Sequence, residues 1–167
     1  MSDREPATEQ PFNPGDPTPT PWAEARRHLE NASTYWLATV RPGGRPHAVP
    51  VLAVWLDGAL HFVANESSRK AKNLGHRADC ILSASTRSLD LVVEGEAVKV
   101  RDDAKLKRVA DVYGSKYGWT VTVREGAFFG EGAPTAGPPP YDVYEVAPAL
   151  VFGFPTDEST IATRWRF

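Results

Sequence analysis

Tyr35-Trp36-Leu37-Ala38-Thr39-Val40, Val49 to Trp55, and Leu60 to Ala64 are three apolar, strand-like runs. They are punctuated by Arg41-Pro42-Gly43-Gly44-Arg45 and by Asp57-Gly58. In the first run Trp36, Ala38 and Val40 share one face and Tyr35, Leu37 and Thr39 the other, the two-residue period of a strand. Asp57-Gly58 suits a two-residue type I′ hairpin turn. Pro46 and Pro50 remove two donors from the second strand, which puts it at an edge, at a bulge or against a ligand. An antiparallel meander is the nucleus of the fold.

Directly after the meander comes Ser67-Ser68-Arg69-Lys70-Ala71-Lys72-Asn73-Leu74. Free amides at a helix start, the hydroxyls of Ser67 and Ser68, and the cations Arg69, Lys70 and Lys72 form a cradle for an anion. The competing reading is a solvated, charged helix with Ser67 as an ordinary cap. At helical spacing the three cations do not all point one way. Asn73 either bonds a ligand or caps the helix end beside Gly75, which is the expected stop.

Outward from this segment the pattern stays mainly β. Residues 1–21 hold six prolines and, apart from Phe12, almost nothing large and apolar. That composition predicts a flexible arm ahead of one domain over 22–167. Thr20 reads as the cap of a helix marked by Trp22, Ala25, Leu29 and Ala32. Cys80 to Thr86 and Leu89 to Val100 pair as strands, with Gly95 at a bulge or bend. Asp102 caps a further helix whose buried face is Leu106, Val109, Ala110, Tyr113 and Tyr117. Residues 118–140, with five glycines and four prolines, read as one long irregular loop, a lid or a partner contact. Trp119, Phe128 and Phe129 form either an apolar wall for substrate or packing on the loop's own domain, and Gly126, Gly130 and Gly132 would let the loop close. Tyr141 to Phe154 is the last long strand, before the aromatic, basic end Ile161 to Phe167. Six or seven antiparallel strands with one long helix among them predict a small barrel. No Gly-x-Gly-x-x-Gly follows a strand, so a Rossmann sheet is disfavoured.

The net charge of −2 and pI of about 6.1 argue against a general nucleic-acid binder. The one cysteine, Cys80, reads as a buried thiol. His28, His47, His61 and His76 show no metal-ligand spacing, so no metal site is expected. No secretory segment and no membrane-crossing run are visible, and the expectation is a soluble, cytoplasmic protein. No Ser/His/Asp arrangement gives a protein nucleophile.

Four motifs in order resemble the pyridoxamine-5′-phosphate-oxidase-like split-barrel family. They are Trp36 to Val51, Val54 to Phe62, Lys70-Ala71-Lys72-Asn73-Leu74, and Thr163-Arg164-Trp165-Arg166-Phe167. The resemblance spans roughly Trp22 to Phe167. It implies a mainly β, homodimeric split β-barrel of the FMN-binding type, with flanking helices. It also implies FMN or the deazaflavin coenzyme F-420 in a groove between subunits. On this basis the cofactor phosphate falls to Ser67, Ser68, Arg69, Lys70 and Lys72, with Asn73 on a ribityl hydroxyl or the phosphate. The ring lies along His47, Val49, Pro50 and Val51, and Arg164, Trp165 and Arg166 reach the partner's cofactor.

The expected activity is hydride transfer between bound cofactor and an unidentified small organic substrate. The surplus of cations over one phosphate leans toward the deazaflavin, whose tail is polyanionic. Closeness to true pyridoxamine phosphate oxidase is too slight to transfer that reaction. The alternatives are a non-catalytic split barrel that holds FMN, haem or another planar ligand, and a cofactor-free interaction protein.

Overall fold

The computed structural model describes residues 4–131, 136–158 and 160–167. In chain order the elements are β1 (Thr8–Pro11), α1 (Trp22–Asn31), β2 (Tyr35–Val40), β3 (Pro46–Val51), β4 (Ala53–Leu56) and β5 (Ala59–Ala64). Then come α2 (Arg69–His76), β6 (Asp79–Ser85), β7 (Leu89–Lys99), α3 (Asp103–Tyr117), β8 (Thr122–Arg124), β9 (Ala127–Phe129), β10 (Asp142–Pro155) and β11 (Thr163–Arg166).

The meander forms as its sequence dictates. Asp57 and Gly58 both take positive φ, 52° and 76°, and turn β4 back onto β5. Among the described residues β3 is an edge strand whose one ladder is to β2. Pro46, Ala48 and Pro50 are exposed, whereas Val49 is half-buried and Val51 buried. Two prolines four residues apart on an edge strand leave few outward donors for another strand to pair with.

From β2 the ladder runs to β6, β7 and β10, and from β10 to β5 and β4. β3 passes into β4 through the single residue Leu52, and among the described residues no ladder joins the two. The sheet is therefore bent around a core but not closed, because covalent chain rather than hydrogen bonding crosses the gap. Among the described residues it holds nine strands, beside the two-stranded hairpin β8–β9. The expected six or seven strands in one barrel undercount this. The break at Leu52 splits one predicted strand into two, and β1 and β11 add a further edge.

The expected bulge near Gly95 sits on the opposite strand. Gly95 pairs with Pro148 and Glu94 with Leu150, so Ala149 is the extra residue. A Cβ on Gly95 would lie 2.6 Å from the Ala147 carbonyl oxygen, which explains the glycine.

The N-terminal arm is a correction. Thr8–Pro11 forms β1 and pairs antiparallel with β11. Glu9 carries it further, since its carboxylate accepts from the Trp22 amide at 2.9 Å and so satisfies the start of α1. Thr20 does not cap α1. Its hydroxyl donates to the Ile161 carbonyl at 2.9 Å and clasps the chain ahead of β11. Gly75 is likewise not a stop, since α2 continues through it to His76. Asp102 does cap α3, accepting from the Lys105 amide at 2.7 Å, and Gly118 ends the helix in the left-handed region.

Two apolar clusters fill the fold. The larger lies inside the bent sheet, where Trp22 packs on Trp55 and Trp165 at centroid distances of 6.0 and 5.7 Å. The smaller joins α3 to β4, β9 and β10 through Leu106, Val109, Tyr113, Val54, Phe128 and Val143. Each fully buried Leu or Val contributes about 1.5–3 kcal/mol of transfer free energy. Residues 118–140 are not wholly irregular. Glu125 and Gly126, both at positive φ, turn β8 into β9, and Phe128 is fully buried in the smaller cluster. Gly132 lies outside the described residues.

Candidate functional site

A cavity of about 840 Å³ opens between β3 and the C-terminal end of α3. Val49, Pro50, Val51 and Leu52 form one wall, and Tyr113, Tyr117 and Trp119 form the other. Lys70 of α2 and Glu131 are its charged lining residues. The sequence thus brings Val49, Pro50, Val51 and Lys70, four of the predicted residues, to one cavity.

The aromatic wall is braced from behind. Tyr113 donates to the Leu52 carbonyl at 2.8 Å, and Tyr117 to the Ala53 carbonyl at 2.8 Å. Lys116 donates to the Tyr35 hydroxyl at 2.9 Å and to the Ala53 carbonyl at 3.1 Å, and burial pulls its pKa down to about 8. The Trp119 indole N–H donates to the Glu131 carbonyl at 2.8 Å, and its ring meets Tyr113 edge-on at 5.5 Å. Trp119 is therefore a wall residue, whereas Phe128 is core and Phe129 lies under the Arg124 guanidinium at 4.1 Å.

The start of α2 is built locally. The Asn65 side-chain oxygen accepts from the Ser67 amide and hydroxyl at 2.8 and 2.6 Å. Ser68 is the cap, accepting from the Ala71 amide at 3.3 Å. The Ser67 hydroxyl proton is thus spent inside the turn, and that of Ser68 stays free to donate outward. Lys70 is half-buried and desolvation lowers its pKa, while Arg69 and Lys72 are exposed. Lys72 does not line the cavity.

Asn73 does not cap the helix end, whose cap residue is Arg77, and its side-chain oxygen is buried without a partner. It is fully buried, and its amide donates to the Thr39 hydroxyl at 3.0 Å, pinning α2 to β2. Thr39 is the register partner of His47 on β3, so this bond holds the helix beside His47. Burial, and after it the charges of Arg41, Arg69 and Lys70, hold the His47 pKa below its ordinary value. His47 Nδ1 and Arg41 Nε are shielded from solvent and unpartnered. Arg41 is absent from the sequence-based set, although a cation directly after an apolar strand was a usable signal.

The C-terminal trio separates. Trp165 is fully buried in its own chain; its indole donates to the Thr20 carbonyl at 3.2 Å and stacks close over Gly153. It is not placed to reach a partner's cofactor, because alternation on β11 turns it into the core. Arg164 and Arg166 take the other face, with Arg164 bonded to Gln10 at 3.3 Å. On the outward face of the sheet, Pro50, Trp36, Ser83, Val92 and Phe152 form one row across five strands. Trp36 is 53% exposed there, a large apolar side chain left in water.

Among the described residues there is no group of three or more His, Cys, Asp or Glu side chains suited to a metal ion. None of their helices is long and apolar enough to cross a membrane.

A family model described as pyridoxamine 5′-phosphate oxidase matches residues 21–154. No curated protein matches the chain. Among solved structures, a heme binding protein from Mycobacterium smegmatis superposes with a TM-score of 0.66 at 16% identity, over 89% of this chain and 59% of that one. A FAD-binding protein from Mesorhizobium loti gives 0.59 at 14%, over 87% and 93%. A structure described as an F420 reductase gives 0.53 at 22%, over 75% and 94%. At these identities the likeness concerns the fold.

Proposed function

The chain belongs to the pyridoxamine 5′-phosphate oxidase family, and from that premise we propose that it binds FMN or coenzyme F-420 and works as an oxidoreductase on a small organic substrate. The observation that carries this is the shared cavity, in which a half-buried lysine at a helix start faces the same space as an apolar edge strand. Lys70, the Ser68 hydroxyl and the first amides of α2 suit a phosphate. Val49 and Val51 suit the face of a flat ring, and the edge of β3 carries unpaired backbone groups for its rim.

When bound, the cofactor supplies the hydride chemistry. The chain's own part is to hold the tail, orient the ring against β3 and keep water from it. Trp119 and Tyr117, across the cavity from β3, leave room for an acceptor between ring and wall. The cations around α2 outnumber those one phosphate requires, which favours the polyanionic deazaflavin. The outward row around Trp36 favours a second copy of the chain over it. In that homodimer Arg164 and Arg166 are the remaining candidates for contact with the partner's cofactor. The proposal does not extend to oxidation of pyridoxamine phosphate.

The test is the absorption spectrum of purified protein, followed by fluorescence titration of cofactor-free protein with FMN and with F-420. One of the two should bind saturably, and candidate donors should reduce it in stopped flow. Binding without reduction would leave a ligand-holding protein, and binding of neither would overturn the reading.

A further inference from the structure

Three cations converge on one imidazole from two elements. Arg41 lies in the turn after β2, and Arg69 and Lys70 open α2; after burial, these three charges lower the His47 pKa. Among the described residues no carboxylate forms an ion pair with Arg41, His47, Arg69 or Lys70. Glu66, the nearest acid in sequence, is exposed.

The cluster is not loosely held. Asn73 bonds to Thr39 of β2, and Thr39 pairs with His47 of β3, so α2 cannot relax away from this strand pair without breaking a buried hydrogen bond. Within it, His47 Nδ1 and Arg41 Nε are both removed from solvent with no acceptor or donor. Orphaned nitrogens among gathered like charges raise the energy of the unliganded chain. A bound anion offsets both costs at once.

We infer that Arg41 and His47 form the second jaw of the anion site whose first jaw is the start of α2, and that proton uptake by His47 tightens this site on a multiply charged anion. The inference rests on the reading of α2 as an anion anchor and adds to it two residues and a control by pH. In the free protein burial, and after it the neighbouring cations, disfavour the imidazolium. An anion among them offsets that repulsion and favours it. The complex then binds more protons than the free protein, so affinity rises as pH falls. The rise spans the interval between the histidine's value in the complex and its lower value in the free protein, about tenfold for each unit separating them.

The test follows the imidazole Cε1 proton of His47 by NMR, in full-length protein free of cofactor, with and without sulfate. Sulfate stays doubly charged throughout this range, so any dependence on pH belongs to the protein. Chloride keeps the ionic strength fixed. Sulfate should raise the His47 midpoint, and its affinity should increase as the solution is acidified. Arg41→Ala should raise the midpoint in the free protein and weaken sulfate binding. His47→Gln should abolish the pH dependence.

If sulfate shifts the amides at the start of α2 while the His47 midpoint stays fixed, the second jaw is wrong and the anchor survives. If neither responds, both readings fall. The wild-type titration decides between these outcomes even if a variant folds poorly.

Discussion

Lys70, Arg69 and Lys72 open one short helix, yet the structure gives them unequal parts, and this can be measured. Lys70 is half-buried and lines the cavity, Arg69 is exposed but acts on His47, and Lys72 is exposed and lines no part of the cavity. Two steps along an α-helix turn the side chain by about 200° around the axis. Lys72 therefore points nearly opposite to Lys70. A hydrogen bond from a charged donor to phosphate contributes about 1.5–3 kcal/mol. Lys70→Ala should then weaken FMN binding roughly ten- to a hundredfold or slightly more. Arg69→Ala should cost less, and its effect should fade at high salt because an exposed charge is screened. Lys72→Ala should stay within about twofold. The assay is quenching of FMN fluorescence at low and at high salt, with thermal melts to confirm that each variant is folded. Equal losses at all three positions would mean a diffuse positive surface, and a largest loss at Lys72 would mean that the helix docks the other way round. Either result refutes the assignment of Lys70 as the anchor.

Two further predictions concern the scaffold. Hydrogen bonds from His61 and Lys105 hold the Glu145 carboxyl at a pKa of about 2, against an ordinary 4.5. The folded value is depressed, so its stabilisation is complete above the unfolded value and is lost as pH falls toward about 2. The shift sets a ceiling of about 3 kcal/mol, and partial exposure of the carboxylate brings the expected loss in Glu145→Gln to roughly 2 kcal/mol. Urea unfolding at about pH 7 and about pH 3 should show the gap between wild type and variant narrowing in acid, and an unchanged gap would reject the linkage. At the bulge, a Cβ on Gly95 meets the Ala147 carbonyl oxygen at 2.6 Å and Val146 Cγ1 at 2.9 Å. Gly95→Ala should cost about 1–3 kcal/mol in the same assay, and an unmoved midpoint would show that the opposing strand gives way freely.

Local chemistry made part of the fold legible. Alternation around Trp36, the Asp57-Gly58 turn and the Asp102 cap each depend on a few neighbouring residues, and each forms as read. What misled was composition read without a partner. Residues 8–11 contain nothing that demands a strand, but β11 offers an unpaired edge, and backbone pairing needs no particular side chains. Glu9 then supplies the α1 amide with the acceptor expected from Thr20. The strand pairing joins residues at opposite ends of the sequence, and it is this pairing that places Glu9 against the start of α1, so no local pattern encodes either departure. The sequence leaves Phe128 open between wall and core for a related reason, since the choice depends on where α3 docks.

The anion site shows the same boundary more sharply. Sequence alone establishes that cations gather after the meander and that helical spacing forbids them all from facing one way. It does not say which one faces in, because that depends on how α2 rotates against the sheet. The rotation is set by Asn73, whose amide reaches the Thr39 hydroxyl inside the protein. That bond turns Lys70 toward β3 and leaves Lys72 in water. Asn73 thus acts as the pin that decides which of its neighbours face the cavity. The same pin brings the helix start against His47, where Arg41 arrives from the other side of the β2–β3 turn. The gathering of Arg41 and His47 with Arg69 and Lys70 is a property of the docked helix, which is why four cationic or titratable side chains from separate segments read as one site only once the fold is known.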